Sequence, residues 1–246
     1  SMKHLGEDLD IHCGGIDNAF PHHTNEIAQS ESYLGHKWCN YWFHVRHLNS
    51  DSGKMSKSKG EFLTVSLLEK NGYDPMAYRL FCLQSHYRRN LVFSWENLDN
   101  AAAAYDKLIA KIATLRDEGG IEPMMFADLK KRFAKALEGD LNTSVAVTAV
   151  YDVLKAKTTD ATKLALIADF DKVLCLNLLS AAENLRKKQA EEEAANADPE
   201  IDALVAARTE AKKAKNWAEA DRIRDELKAR GIEIIDTPQG AKWRKV

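Results

Sequence analysis

Leu9-Asp-Ile-His-Cys-Gly-Gly-Ile-Asp17, continued by Asn18-Ala-Phe-Pro-His-His-Thr-Asn-Glu26 and Ile27-Ala-Gln-Ser-Glu-Ser-Tyr-Leu34, decides how the chain folds. Leu9 and Ile11 alternate with Asp10 and His12, the period of a strand. Gly14-Gly15 breaks it, and a helix is predicted from about His22 to Leu34, with Pro21 at or just before its first position, where a missing N–H costs nothing. Strand, glycine turn, helix is one unit of an open α/β sheet, which binds ligands at the carboxyl ends of its strands. Residues 38–50 read as a further strand. It leads into Asp51-Ser-Gly-Lys-Met-Ser-Lys-Ser-Lys-Gly60, where Lys54, Lys57 and Lys59 alternate with the hydroxyls Ser56 and Ser58. Such a loop suits a clamp on phosphate oxygens; a solvated basic turn is the plainer alternative.

Further along, helices are expected at 64–71 and 75–86, the second entered through Asp74-Pro75. From about Ser94 apolar residues recur at helical spacing through 97–117, 123–138, 142–157 and 160–186, which predicts a bundle of about four helices. Residues 186–198 carry a charge block read as a solvated helix end or linker. Helices at 199–215 and 217–230, a cap at Gly231 and a hairpin over 232–246 complete the chain.

The 246 residues have an ordinary globular composition, 45% hydrophobic and 29% charged, with a formal net charge of −2. That balance excludes a uniformly basic nucleic-acid binder but allows a local basic patch. No apolar run reaches membrane-spanning length and no membrane partner is expected. Cys13, Cys39, Cys82 and Cys175 form no Cys-x-x-Cys pair, so reduced thiols and a cytoplasmic location are expected.

His22 and Glu26 stand four apart on the predicted helix and so point the same way. Imidazole nitrogen and carboxylate oxygen are both accepted zinc ligands, yet a tetrahedral site needs two more and the chain offers no clear pair. Histidines 12 and 23 have plainer readings, as a strand-end hydrogen-bond partner and a helix-face residue.

Asp10 to Asp17 and Phe20 to Glu31 resemble the zinc-binding region of the cysteinyl-tRNA synthetases, and Lys54-Met-Ser-Lys-Ser58 resembles the signature loop of the class I synthetases to which they belong. The likeness continues through Asn40-Tyr-Trp42, His86-Tyr-Arg88, Asp140-Leu-Asn-Thr143, Ala220 to Lys228 and Thr237 to Arg244. It implies an α/β plus all-α fold: the C-terminal part of a Rossmann-like class I catalytic domain, a helical bundle and a small C-terminal α/β module. The implied divisions are 1–50 (catalytic domain), 51–92 (signature loop and stem contact), 93–186 (tRNA-binding bundle) and 187–246 (linker and anticodon-binding module).

The resemblance also implies roles. One zinc ion is held by His22 and Glu26 together with two cysteines upstream of this chain, His12 and His23 lying beside the metal ligands. Zinc prefers thiolate to a hydroxyl, so cysteine is selected over serine by bonding chemistry and no editing domain is expected. Lys57, with Ser56 and Asp17, is expected to bind ATP, with Mg2+ accompanying it, and Lys54 and Lys57 to act catalytically. Arg88, Arg224, Trp243 and Arg244 are expected to contact tRNA(Cys), Trp243 by stacking on a base; the alternative for Trp243 is that it packs the hairpin onto helix 217–230. The expected activity is that of a monomeric ligase which activates cysteine with ATP and passes it to tRNA. The likeness also implies an upstream His-x-Gly-His motif, found nowhere in these residues, so the chain alone is expected neither to activate cysteine nor to hold zinc tightly. Cys13, Thr24 and Glu61 depart from the family's usual glycine, glutamate and asparagine.

Two other readings remain. A cysteine ligase of the mycothiol type shares the catalytic core but has little use for residues 199–246. A non-catalytic tRNA-binding remnant would be free to lose Lys54 and Lys57.

Overall fold

The computed structural model of the protein describes residues 2–50, 53–54, 64–195, 198–237 and 240–245. They fall into two compact units, residues 1–182 and 183–246.

In the first unit a short helix α1 (Met2–Leu5) precedes strand β1 (Leu9–Gly15), and helix α2 (Thr24–Leu34) carries the chain back to strand β2 (Cys39–Val45). β1 and β2 pair in parallel, from Leu9 opposite Cys39 to Gly15 opposite Val45. Parallel strands require such a crossover, so the glycine turn and the helix of the opening stretch are what place two strand ends side by side. Between β1 and α2 a 3₁₀ turn (Ile16–Asn18) and a π turn (Ala19–His23) replace the first turn of the helix expected from His22. Gly35, at φ +74°, closes α2 in the left-handed region.

The single strand expected over 38–50 is two. After β2 the chain turns at Arg46-His47 and enters β3 (Leu48–Ser50), which belongs to a different sheet. There β3 lies between β4 (Gly53–Lys54), antiparallel, and β5 (Leu91–Phe93), parallel. Helices α3 (Val65–Lys70) and α4 (Pro75–Leu83) intervene, the latter capped by Asp74, whose carboxylate accepts from the Met76 N–H at 2.7 Å.

The bundle consists of α5 (Trp95–Ala113), α6 (Pro123–Glu138), α7 (Thr143–Lys155) and α8 (Asp160–Leu174), followed by α9 (Leu178–Ala195), which runs across the boundary of the two units. Ser94, Asn142 and Thr159 cap α5, α7 and α8 with their side-chain oxygens. Leu98, Leu108, Ile112, Val153, Leu166 and Phe170 are fully buried, and Phe133 stacks on Phe170 with ring centroids 4.0 Å apart. The helix expected over 160–186 is broken. Cys175 and Asn177 adopt left-handed conformations, and the Asp171 carboxylate accepts from the N–H groups of Leu176 and Leu178. Residues 186–195 of the charge block belong to α9, with Lys187 paired to Glu183 and Lys188 to Glu192 one helical turn apart.

The second unit packs α10 (Pro199–Lys213) and α11 (Trp217–Ala229) against the antiparallel hairpin of β6 (Ile232–Thr237) and β7 (Gly240–Lys245). Its core is Ile201, Val205, Ile223, Leu227, Ile232 and Trp243. Among the described residues no helix is long and apolar enough to cross a membrane.

Candidate metal and nucleotide site

β1 and β2 end together, and the polar side chains gather around them and the start of α2. The Glu26 carboxylate is the centre. Its Oε2 lies 2.9 Å from His12 Nε2, and its Oε1 lies 3.7 Å from His22 Nε2. Four-coordinate zinc with nitrogen and oxygen donors at about 2.0–2.2 Å sets neighbouring donors about 3.3–3.6 Å apart. The His22–Glu26 pair is within a small side-chain adjustment of that spacing, and His22 is mostly exposed, which leaves the site open on one side. At 2.9 Å, His12 instead makes a hydrogen bond that orients the carboxylate from behind, as groups around metal ligands commonly do.

His23 is buried. Its Nδ1 lies 2.8 Å from His44 Nε2, so one ring donates and the other accepts. Burial lowers its pKa, and the neighbouring His12 and His44 lower it further. A Cβ on Gly14 would stand 2.6 Å from His23 Cε1, so the glycine of the opening stretch is what lets this ring lie against β1. Trp38 and Trp42 pack around His12, with ring centroids 5.5 and 4.9 Å away. The donor atoms of His12, His23 and Glu26 also lie within 4.8 Å of one another, and no cysteine joins that group among the described residues. Cys13 is exposed, and Thr24 Oγ1 donates to the Ala19 carbonyl at 2.9 Å.

Asp17 lies just past the end of β1, and its Oδ1 is 3.5 Å from Nε2 of His47, just past the end of β2. A Cβ on Gly15 would meet that same oxygen at 2.5 Å, so the second glycine makes room for the carboxylate. The sequence reading missed His47; only its position after a strand end could have marked it. Lys54 lies in β4 opposite Asn49, while Ser56 and Lys57 fall outside the described residues.

The four residues expected at tRNA fare differently. Trp243 is a correction. The expectation of a base stacked on it needs an exposed ring, but Trp243 is only 9% exposed, packs in the core of the second unit, and its Nε1 donates to Asp202 Oδ1 at 2.7 Å. The alternation of β7 turns it toward α10, where an indole with a carboxylate partner is best buried. Arg88 is already engaged, both its Nε and Nη2 donating to Asp140. Arg224 is exposed beside Asp221 and Asp225, and with Arg208, Lys228 and the residues from Gly231 to Ile234 it lines a groove of about 790 Å3. The side chain of Arg244 is outside the described set.

A βαβ unit with polar side chains gathered near its strand ends is the layout of an open α/β domain that binds ligands there. Residues 1–103 match the family described as tRNA synthetases class I (C) catalytic domain, and residues 194–244 match the Cysteinyl-tRNA ligase anticodon binding domain. The chain belongs to the cysteinyl-tRNA ligase family. It is 40% identical to the cysteine–tRNA ligase of Symbiobacterium thermophilum, over 100% of this chain and 54% of the relative. It is 39% identical to that of Brevibacillus brevis, with the same coverages. For Novosphingobium aromaticivorans the identity is 40%, over 98% of this chain and 51% of the relative. The chain thus spans about half the length of these curated relatives. Its fold is similar to that of the LeuRS in the ternary complex from Agrobacterium radiobacter K84, with TM-score 0.51 and 15% identity over 72% of this chain and 27% of that one.

Proposed function

We propose that the chain supplies the metal-holding and anticodon-reading parts of an ATP-dependent cysteine–tRNA ligase that acts in the cytoplasm as a monomer. The observation that carries this is the convergence of His22 and Glu26 near metal-ligand spacing, with His12, midway along β1, holding the carboxylate from behind. Zinc bound there supplies a soft acid that takes a thiolate in preference to a hydroxyl.

In the first step the cysteine carboxylate attacks the α-phosphorus of ATP, cysteinyl-adenylate forms, and pyrophosphate leaves with Mg2+. A ribose hydroxyl of the terminal adenosine of tRNA(Cys) then attacks the activated carbonyl and AMP departs. His22 and Glu26 orient the amino acid by its sulfur. His23, fixed by His44, closes the inner wall of the pocket. Asp17, propped by His47, is placed to accept from ribose hydroxyls of the nucleotide. Lys54, Ser56 and Lys57 bring positive charge and hydroxyl donors to the phosphates, where charge develops during transfer. Arg224 and Lys228 present charge to the RNA backbone along the groove of the second unit. Trp243 is no part of this surface.

The reading is tested by zinc-dependent binding of two non-hydrolysable sulfamoyl analogues, cysteinyl and seryl adenylate, followed by calorimetry. The cysteinyl analogue is expected to bind at least about a hundredfold more tightly, because the two differ only in the atom that meets the metal. Equal affinities would contradict it. The ratio is informative even where absolute affinities are low.

A further inference from the structure

The joint between α6 and α7 is tied to the sheet that carries Lys54. Asp140 stands at φ +62° and Leu141 at φ +51°, two successive non-glycine residues in the left-handed region, which costs free energy unless the surroundings hold them there. The Asp140 carboxylate accepts from Arg88 Nε at 2.5 Å, from Arg88 Nη2 at 3.0 Å and from Tyr87 Oη at 2.5 Å, and His86 Nε2 lies 3.7 Å away. Three consecutive residues therefore converge on one carboxylate more than fifty positions along the chain. Thr143, at the start of α7, adds a bond from its hydroxyl to the Ser85 carbonyl at 3.4 Å.

Residues 85–90 are the turn between α4 and β5, and their backbone is stitched to the end of β2. The Arg46 N–H donates to the Tyr87 carbonyl at 2.9 Å and the Leu91 N–H to the His47 carbonyl at 3.2 Å. From there β5 pairs with β3, and β3 pairs with β4, Asn49 facing Lys54. Asp140 and Arg88 are both largely exposed, and an exposed ion pair by itself contributes little stability. What a bidentate arginine–carboxylate bond does supply at a surface is direction.

We propose that Asp140 is a positioning residue: through Arg88 and Tyr87 it fixes the 85–90 turn, and through β5 and β3 it sets the register of the strand that presents Lys54. The helical bundle then governs where that lysine stands. The inference rests on the proposed function only in giving Lys54 a task at the phosphates; the mechanical coupling itself is independent of it.

Amide hydrogen exchange on the whole chain tests the coupling, comparing the parent with Asp140→Asn and Arg88→Lys. Asparagine tolerates the left-handed conformation and keeps one acceptor, so the joint itself is retained. Exchange at residues 49–50, 53–54 and 91–93 is expected to quicken about tenfold in Asp140→Asn, and less in Arg88→Lys, while α6 and α8 keep their parental rates. A rise confined to 139–143, or an equal rise throughout residues 2–182, would overturn it, since either marks a merely local or merely structural role. No nucleotide, metal or RNA enters the measurement. If the adenylate analogues bind alike while the exchange result holds, only the proposed function is lost.

Discussion

Trp243 Nε1 donates to Asp202 Oδ1 at 2.7 Å, tying the last strand to helix α10 inside the core of the second unit. The ring stands opposite Ile234 across the hairpin and packs with Ile201, Val205 and Leu227. Its removal leaves a cavity in that core, while the exposed Asp202 carboxylate turns to water. Trp243→Ala is therefore expected to destabilise the second unit by about 3–5 kcal/mol. Urea unfolding followed by hydrogen exchange at α10, α11 and β6 measures this; a variant that stays as stable as the parent but loses RNA binding would restore the tryptophan to the RNA surface.

Gly14→Ala places a methyl group 2.6 Å from a buried imidazole carbon and 3.0 Å from the Asn18 side chain. His23 cannot retreat without breaking its bond to His44. The expected cost is about 1–3 kcal/mol, the range for overpacking, read as a lower midpoint of thermal unfolding of the first unit. An unchanged midpoint would show that His23 moves freely.

Hydrogen bonds from Arg88 and then Tyr87 hold the Asp140 carboxyl at about 2, below its ordinary value of 3.8. A depressed carboxylate pKa contributes stability that is fully present above about 3.8 and is lost as pH falls through about 2. The stability difference between the parent and Asp140→Asn should thus be constant from neutral pH to about 4, shrink below it and vanish near pH 2. Acid unfolding of the two proteins side by side checks this; a difference that persists at the lowest pH would place its origin in packing.

Arg224→Ala and Lys228→Ala act on the groove of about 790 Å3 beside β6. Each is expected to weaken tRNA binding at a given ionic strength and to reduce the salt slope of log K by about 1, as loss of one phosphate contact does. Filter binding over a salt series reads both quantities. Weaker binding with an unchanged slope would mean that these side chains meet bases instead.

The sequence made α2 legible through Pro21 and the residues after it, although His22 falls in the π turn before it, and it made the bundle legible because the apolar residues recur at helical spacing. It could not reveal the break after Leu174, where an aspartate on the preceding turn captures two backbone N–H groups and the apolar spacing continues regardless. β5, three residues wedged between a polar turn and the Ser94 cap, is too short to carry a period. Residues 38–50 look like one strand because no glycine or proline interrupts them; the corner at Arg46-His47 is set by backbone bonds to Tyr87 and Leu91. Trp243 has the same letters beside it whether it faces RNA or its own core, and only the pleat of the hairpin decides. The pairing of Arg88 with Asp140 joins two stretches that each looked informative without hinting that they touch.

The central claim is that His22 and Glu26 form a metal-binding pair that takes sulfur in preference to oxygen, and cobalt(II) spectroscopy tests it most directly. Cobalt occupies zinc sites and reports both coordination number and thiolate ligation in its absorption. The chain is expected to hold the metal only weakly, so cobalt is kept in excess, and with L-cysteine the four-coordinate bands and sulfur-to-cobalt charge transfer are expected to exceed those of the same cobalt–cysteine mixture without protein. L-Serine should give no such excess, and it should be lost in His22→Ala and in Glu26→Gln. Cysteine-induced bands of equal strength in those two variants, or the same spectrum with serine, would contradict the account.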